Sequence, residues 1–116
     1  MRIVNRKTFI ALPSGTVYAK CSGIDGLGAI AIKRHSFDND WDCMEIGTFD
    51  DWDETLELFD KVERMKAKGE SFPLRLDSIE RDGLFESEDD CSFMIYDNTD
   101  VKKIIKKLKE TLTSKS

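Results

Sequence analysis

The 116-residue chain has little of the chemistry that metal sites, disulfide frameworks and most catalytic centres require. It contains one histidine, His35, and three widely spaced cysteines, Cys21, Cys43 and Cys91, without a CxxC pair. A scattered, odd set of thiols fits reduced cysteines better than disulfides or a zinc site. No apolar run approaches the roughly 20 residues that span a bilayer, and the charged amino-terminal stretch does not resemble a secretory signal. We therefore expect a cytoplasmic protein with no membrane partner, no metal site and no cofactor.

The residue patterns that identify common enzymes are also missing. The chain has no GxSxG, HExxH or phosphate-binding loop, and its only histidine follows two cations and has no cysteine beside it. Residues 38–42 (DNDWD) resemble the opening of a calcium-binding loop. However, Cys43 stands where that loop needs glycine, and Phe49 stands where it needs a bidentate glutamate. We therefore expect a non-enzymatic protein without catalytic residues.

Positive charge is absent from the middle of the chain. Residues 35–60 contain ten carboxylates and neither lysine nor arginine, and residues 77–100 contain nine carboxylates and one arginine. By contrast, residues 1–34 carry six basic side chains and one acid, and residues 101–116 carry six lysines and one acid. The net charge of −5 disfavours a general nucleic-acid binder, because the mean field repels phosphates. Charge blocks of this kind predict a dipolar molecule with an acidic surface region.

Short alternating segments predict β-strands, and two longer segments have the spacing of amphipathic helices. The predicted strands are Arg2–Val4, Thr16–Cys21, Ala29–Lys33, Cys43–Thr48 and Cys91–Tyr96, with Pro73–Leu76 as a candidate edge strand. The first long helix follows a capping pair at Asp51 and Glu54 and ends at Gly69. The second is capped by residues 97–100 and has its apolar residues at 101, 104, 105, 108 and 112. We expect one α+β domain over residues 1–116, an antiparallel sheet of four to six strands with two amphipathic helices packed on one face.

The acidic blocks allow two interpretations. In the first, pairs such as Glu57–Lys61 brace a helix and the aspartates near residue 51 only cap it. In the second, the remaining carboxylates form a phosphate-like array that binds a basic protein surface. Trp41 also allows two interpretations, as an interface residue among the acids or as a side chain that folds over the sheet edge with Phe37. The candidate partner-binding residues are Asp38, Asp40, Trp41, Asp42, Glu45, Glu86, Glu88, Asp89 and Asp90.

The carboxy-terminal lysines suggest an alternative function, a small nucleic-acid-associated accessory protein. The residues concerned are Lys102, Lys103, Lys106, Lys107 and Lys109, together with Arg2, Arg6 and Lys7. A lysine run on an amphipathic helix is also typical of a solvated face. Because no aromatic residue interleaves these lysines to stack a base, direct nucleic-acid binding is the less favoured interpretation.

The opening of the chain, IVNRKTF at residues 3–9 followed by LPSGT at residues 12–16, resembles that of a group of small uncharacterised bacteriophage and prophage proteins. The resemblance implies a phage origin and supplies no activity or site residues. Small acidic phage proteins often block the nucleic-acid-binding machinery of the host, including restriction and CRISPR systems. We therefore expect an acidic binding protein of phage type, acting in the host cytoplasm as an inhibitor that occludes a basic nucleic-acid-binding site on a host defence protein.

Overall fold

Six antiparallel strands form one sheet in the computed structural model, which describes residues 1–22, 26–46, 55–74, 76, 79–82 and 92–113. The order of strands across the sheet is β1-β6-β2-β3-β4-β5, so that β6 lies between the first two strands of the chain. The α+β class and the antiparallel sheet predicted from the sequence are confirmed. The elements are β1 (Arg2–Asn5), α1 (Arg6–Ile10), β2 (Val17–Ser22), β3 (Gly26–Ser36), β4 (Trp41–Glu45), α2 (Thr55–Lys68), β5 (Glu80–Asp82), β6 (Ser92–Tyr96) and α3 (Asn98–Thr113).

The fifth strand differs from the expectation. The sequence predicted an edge strand at residues 73–76, but residues 73, 74 and 76 lie outside any strand, and β5 forms instead at Glu80–Asp82. Pro73 has no backbone N–H to donate to a ladder, which disfavours pairing at that position. Glu80 and Asp82 instead pair with Cys43 and Trp41 of β4.

Two helix starts follow the capping chemistry of their sequences. The side chain of Asn5 accepts a hydrogen bond from the Thr8 amide at 2.8 Å and begins α1. Before α3, Asp97 and Asp100 each accept a 3.0 Å hydrogen bond from the backbone amide of the other, which is a reciprocal capping box. Gly69, with φ +65°, follows α2 where a left-handed residue ends the helix. The predicted capping pair at 51 and 54 lies outside the described residues.

The core is an aromatic cluster between α1 and the sheet. The Phe9 ring of α1 stacks on Phe93 with ring centroids 4.1 Å apart, and it contacts Tyr18 and Trp41 at 4.6 and 4.8 Å. The indole Nε1 of Trp41 donates a 2.8 Å hydrogen bond to the Tyr18 hydroxyl. Both polar atoms are buried, so this bond removes the cost of bringing an indole N–H and a phenol into an apolar interior.

Polar contacts from the sheet fix α1 on this cluster. The guanidinium group of Arg6 donates to the Asn39 carbonyl in the β3–β4 turn. The hydroxyl of Ser36 donates to the Ile10 carbonyl at 2.6 Å. The buried ammonium group of Lys33 donates to the Leu12 carbonyl at 2.7 Å. Three side chains therefore hold a helix of only five residues against the sheet.

The two long helices are less enclosed than α1. In α3, Val101 and Ile104 are half-buried, whereas Ile105, Leu108 and Leu112 are exposed. In α2, Phe59 is exposed. The radius of gyration is 16.2 Å, compared with about 13 Å for a compact domain of this length. The helix that completes the described core is therefore the short α1, and the apolar side chains of α3 are half-buried only in the first half of that helix.

The Trp41–Tyr18 hydrogen bond can be tested by unfolding. We expect Tyr18→Phe to lower the free energy of unfolding by about 1–3 kcal/mol, because the Trp41 indole N–H then stays buried without its acceptor. Urea denaturation followed by circular dichroism gives this quantity. Tyr96→Phe, the matched change at the other tyrosine, should cost less. In a Trp41→Phe background the Tyr18 change should also cost less, and an unaltered cost there would contradict the coupling.

Candidate partner-binding surface

Five carboxylates lie along the β4–β5 side of the sheet, and we call them the acidic edge: Asp38, Asp42, Glu45, Glu80 and Asp82. β5 is the last strand of the sheet on this side. Because side chains alternate along a strand, Glu45 lies on the same face as Cys43 and α1, whereas Asp42 lies on the opposite face. Glu80 pairs with Cys43 across the ladder, which makes Glu45 and Glu80 diagonal neighbours about 7–8 Å apart on the α1 face.

Members of the acidic edge differ in exposure and in their contacts. Asp38 and Glu80 are exposed, and Glu45 is half-buried. Asp42 accepts a 2.5 Å hydrogen bond from the His35 amide. Asp82 forms a 2.8 Å ion pair with Lys20. The structure therefore brings together acids from two distant parts of the sequence, and at least two of them also stabilise the fold.

Two of the predicted partner-binding residues are not on the surface. Trp41 is 0% exposed and lies in the aromatic core, so it is not an exposed interface residue. The alternative is met only for Trp41, because Phe37, which was expected to fold over the sheet edge with it, is exposed. Its position is set by strand parity, because Trp41 and Cys43 point toward α1. Asp40 is 5% exposed, and its carbonyl accepts a hydrogen bond from the Phe37 amide within the β3–β4 turn. Neither side chain offers a surface to a partner.

The second predicted patch, Glu86, Glu88, Asp89 and Asp90, lies outside the described residues, and its place relative to the acidic edge stays a prediction. The structure adds exposed apolar side chains that the sequence interpretation did not assign to this surface. Phe37, Ile46 and Ile79 are 41%, 38% and 49% exposed, and each is next in sequence to a member of the acidic edge. Their exposure could have been inferred from their position at strand ends, where the alternation of buried and exposed residues stops.

Two cations close to the acidic edge are partly withdrawn from solvent. Lys33 is buried, and burial lowers the pKa of its ammonium group, whereas the nearby Asp42 raises it. Lys20 lies over the Trp41 ring at 5.8 Å while it pairs with Asp82. The exposed lysines of α3 are far from this side, since α3 contacts β6 and β6 is three strand spacings, about 14 Å, from β4.

Cys43 is the buried centre of the acidic edge. Burial raises the pKa of its thiol to about 11, a hydrogen bond with Tyr18 lowers it, and the charges of Asp82, Glu45 and Glu80 raise it further. A thiol with this pKa is protonated at neutral pH and is a poor nucleophile. Burial likewise raises the pKa of the Tyr18 phenol. Cys43 and Tyr18 are therefore protonated core side chains at neutral pH, which is not the state of an activated nucleophile or base.

Three further findings bear on the type of site. Among the residues that the structure describes, no group of three or more His, Cys, Asp or Glu side chains is arranged to hold a metal ion. In the same part of the chain, no helix is long and apolar enough to cross a membrane. No protein-family model, no curated protein and no solved structure matches this chain. The candidate site therefore has to be judged from its own geometry.

The buried Cys43 thiol makes a pH-dependent contribution to stability. Its pKa is about 11 in the folded protein and 9.0 ordinarily, so the unfolded thiol ionises first as the pH rises. The contribution, roughly 2–3 kcal/mol, is complete below pH 9 and is lost between about pH 9 and 11. Urea unfolding of the wild type and of Cys43→Ala across this range should show the wild type losing more stability.

Lys33 and Tyr18 also ionise at high pH. Lys33 is present in both proteins, and Tyr18 loses its contact with Cys43 in the variant, but burial, the largest cause of its raised pKa, acts in both folded proteins. A constant difference between wild type and Cys43→Ala from pH 8 to pH 11 would show that the thiol does not carry this effect.

Proposed function

We propose that the protein is a non-enzymatic binding protein whose acidic edge docks on a basic, nucleic-acid-binding surface of another protein and occludes it. The observation that carries the proposal is the collection of five carboxylates from the β3–β4 turn, β4 and β5 on one side of the sheet. The lysines of α3 lie on the other side. Such a separation leaves a negative field at one side of the molecule, which steers it toward a positively charged surface.

The local arrangement of the acidic edge favours a protein partner. Asp38, Glu45 and Glu80 stand beside the exposed apolar side chains of Phe37, Ile46 and Ile79. Protein interfaces combine apolar contacts with charged groups at their rims, whereas a solubilising surface has no need of the apolar ones. A partner that binds nucleic acid presents lysine and arginine side chains that would pair with these carboxylates as they do with phosphates.

The phage-like opening of the chain supports the same proposal from a different direction. A protein of phage origin acts on host proteins, and a host defence protein with a basic nucleic-acid-binding site is the target whose inhibition would benefit a phage most. This support is one of context and assigns no residue. The residues proposed to carry the function are those of the acidic edge.

The alternative function, a nucleic-acid accessory protein, draws on the exposed lysines of α3 together with Arg2, Arg6 and Lys7. Of these, Arg6 is 4% exposed and is engaged by the Asn39 carbonyl and by the Trp41 ring. Arg2 and Lys7 are exposed. Of the basic residues named for this alternative, only those of α3 and two further side chains are therefore exposed.

A charge-neutralised variant tests the proposal. We expect Asp38→Asn, Glu45→Gln and Glu80→Gln together to weaken capture of the partner by about tenfold and to flatten its salt dependence, because three rim charges are removed. Immobilised protein is exposed to a bacterial lysate, and the retained protein is identified by mass spectrometry. Its own nucleic-acid binding is then measured by gel shift with and without the wild-type chain.

A control variant removes three carboxylates elsewhere: Asp60→Asn, Glu63→Gln and Glu110→Gln on α2 and α3. This variant has the same net charge as the first and should bind like the wild type. Equal loss in both variants would mean that only net charge matters. A captured protein that still binds its nucleic acid at saturating wild-type concentrations would contradict occlusion.

A further inference from the structure

The second half of α3 carries an apolar stripe that becomes more exposed toward the end of the helix. The exposed fraction rises from 46% at Ile105 to 62% at Leu108 and 75% at Leu112. Val101 and Ile104, one turn earlier on the same stripe, are half-buried. The stripe is therefore covered at its start and uncovered over its last two turns, a length of about 12 Å.

Lysines surround this stripe. At about 100° per residue, Lys102 and Lys109 lie beside Ile105 on one border of the stripe, and Lys107 lies near the other border. Lys103 and Lys106 lie on the opposite face, and all five lysines are exposed. This arrangement is typical of helices that lie in a membrane interface. Such helices have leucine and isoleucine on one face, and lysines at the borders of that face and behind it.

We propose that the second half of α3 binds the surface of an anionic lipid bilayer. Ile105, Leu108 and Leu112 would enter the boundary between headgroups and acyl chains. Lys102, Lys107 and Lys109 would extend along the bilayer and place their ammonium groups at lipid phosphates and carboxylates. This proposal does not depend on the function of the acidic edge.

The chemistry of α3 favours a lipid surface over a nucleic acid or a protein groove. Every cation on the helix is lysine, whose flexible point charge suits a fluid array of headgroups, whereas arginine suits bidentate recognition of phosphate. The helix has no aromatic residue to stack a base or to act as an interface anchor. A nucleic acid would also leave the exposed apolar stripe without a partner.

The charge of the acidic edge does not oppose this orientation. The acidic edge lies about 14–19 Å from β6, measured as three to four strand spacings. Screening reduces interactions of exposed charges beyond about 8 Å at physiological ionic strength. With α3 on the bilayer, the acidic edge can face away from it.

The sequence predicted no membrane partner, and that prediction rested on the length of apolar runs. A spanning helix needs about 20 apolar residues, whereas surface binding needs only one apolar stripe and complementary charge. The absence of a spanning helix among the described residues therefore does not bear on surface binding.

Co-sedimentation with lipid vesicles tests the proposal on the full chain. We expect binding to vesicles of 70% phosphatidylcholine and 30% phosphatidylserine, and at least tenfold weaker binding to phosphatidylcholine alone. Leu108→Gln with Leu112→Gln, and separately Lys102→Gln with Lys109→Gln, should each reduce binding to the anionic vesicles about tenfold or more. These side chains are exposed, and circular dichroism verifies that each variant is folded.

The matched control is Lys66→Gln with Lys68→Gln, which removes two exposed lysines from α2 and should bind like the wild type. No binding to anionic vesicles, or unchanged binding by the leucine variant, would overturn the proposal. Duplex DNA binding that depends on the same lysines at concentrations where vesicles are not bound would assign α3 to nucleic acid. A dimer in sedimentation equilibrium that the leucine variant dissociates would assign the stripe to a second copy.

Discussion

The packing of Phe9 against the sheet is the contact on which the rest of the described structure depends. This ring contacts Tyr18, Trp41 and Phe93, which come from three different strands. A helix of five residues is too short to be stable in isolation, so its conformation depends on this tertiary contact and on its Asn5 cap. In turn, α1 positions the β3–β4 turn through Arg6, and that turn places the first residues of the acidic edge.

The hydrogen bond from Trp41 to Tyr18 explains why an aromatic residue in an acidic segment is buried. A tryptophan among aspartates suggests exposure when only its sequence neighbours are considered. In a strand, however, adjacent side chains point to opposite faces, so the neighbours of Trp41 in sequence are not its neighbours in space. The decisive partners, Phe9 and Tyr18, lie more than 20 residues away, and no local pattern identifies them.

Much of the fold could be predicted because local signals determine it. The Asn5 and Asp97 caps, the alternation in β2 and β6 and the apolar stripe of α3 each act over a few residues. The acidic and basic blocks can also be read directly from the sequence. What it could not supply was the pairing of β4 with β5, which brings Glu80 diagonally next to Glu45 and Asp82 opposite Trp41, because register depends on long-range contacts. It also could not reveal that the apolar side chains of α3 are exposed from Ile105 onward, since periodicity gives the apolar face but not what covers it.

The position of β6 has a consequence for how the chain acquires its structure. This strand is built from residues 92–96, yet it lies between β1 and β2, which are built from residues 2–5 and 17–22. Before it is available, β1 has no neighbour in the sheet and Phe9 lacks the ring on which it stacks. During synthesis, β1 and the packing of Phe9 should therefore stay incomplete until residues 92–96 have left the ribosome. Contacts of such long sequence separation form slowly. Until β6 pairs with them, β1 and β2 are the segments that a chaperone would have to shield.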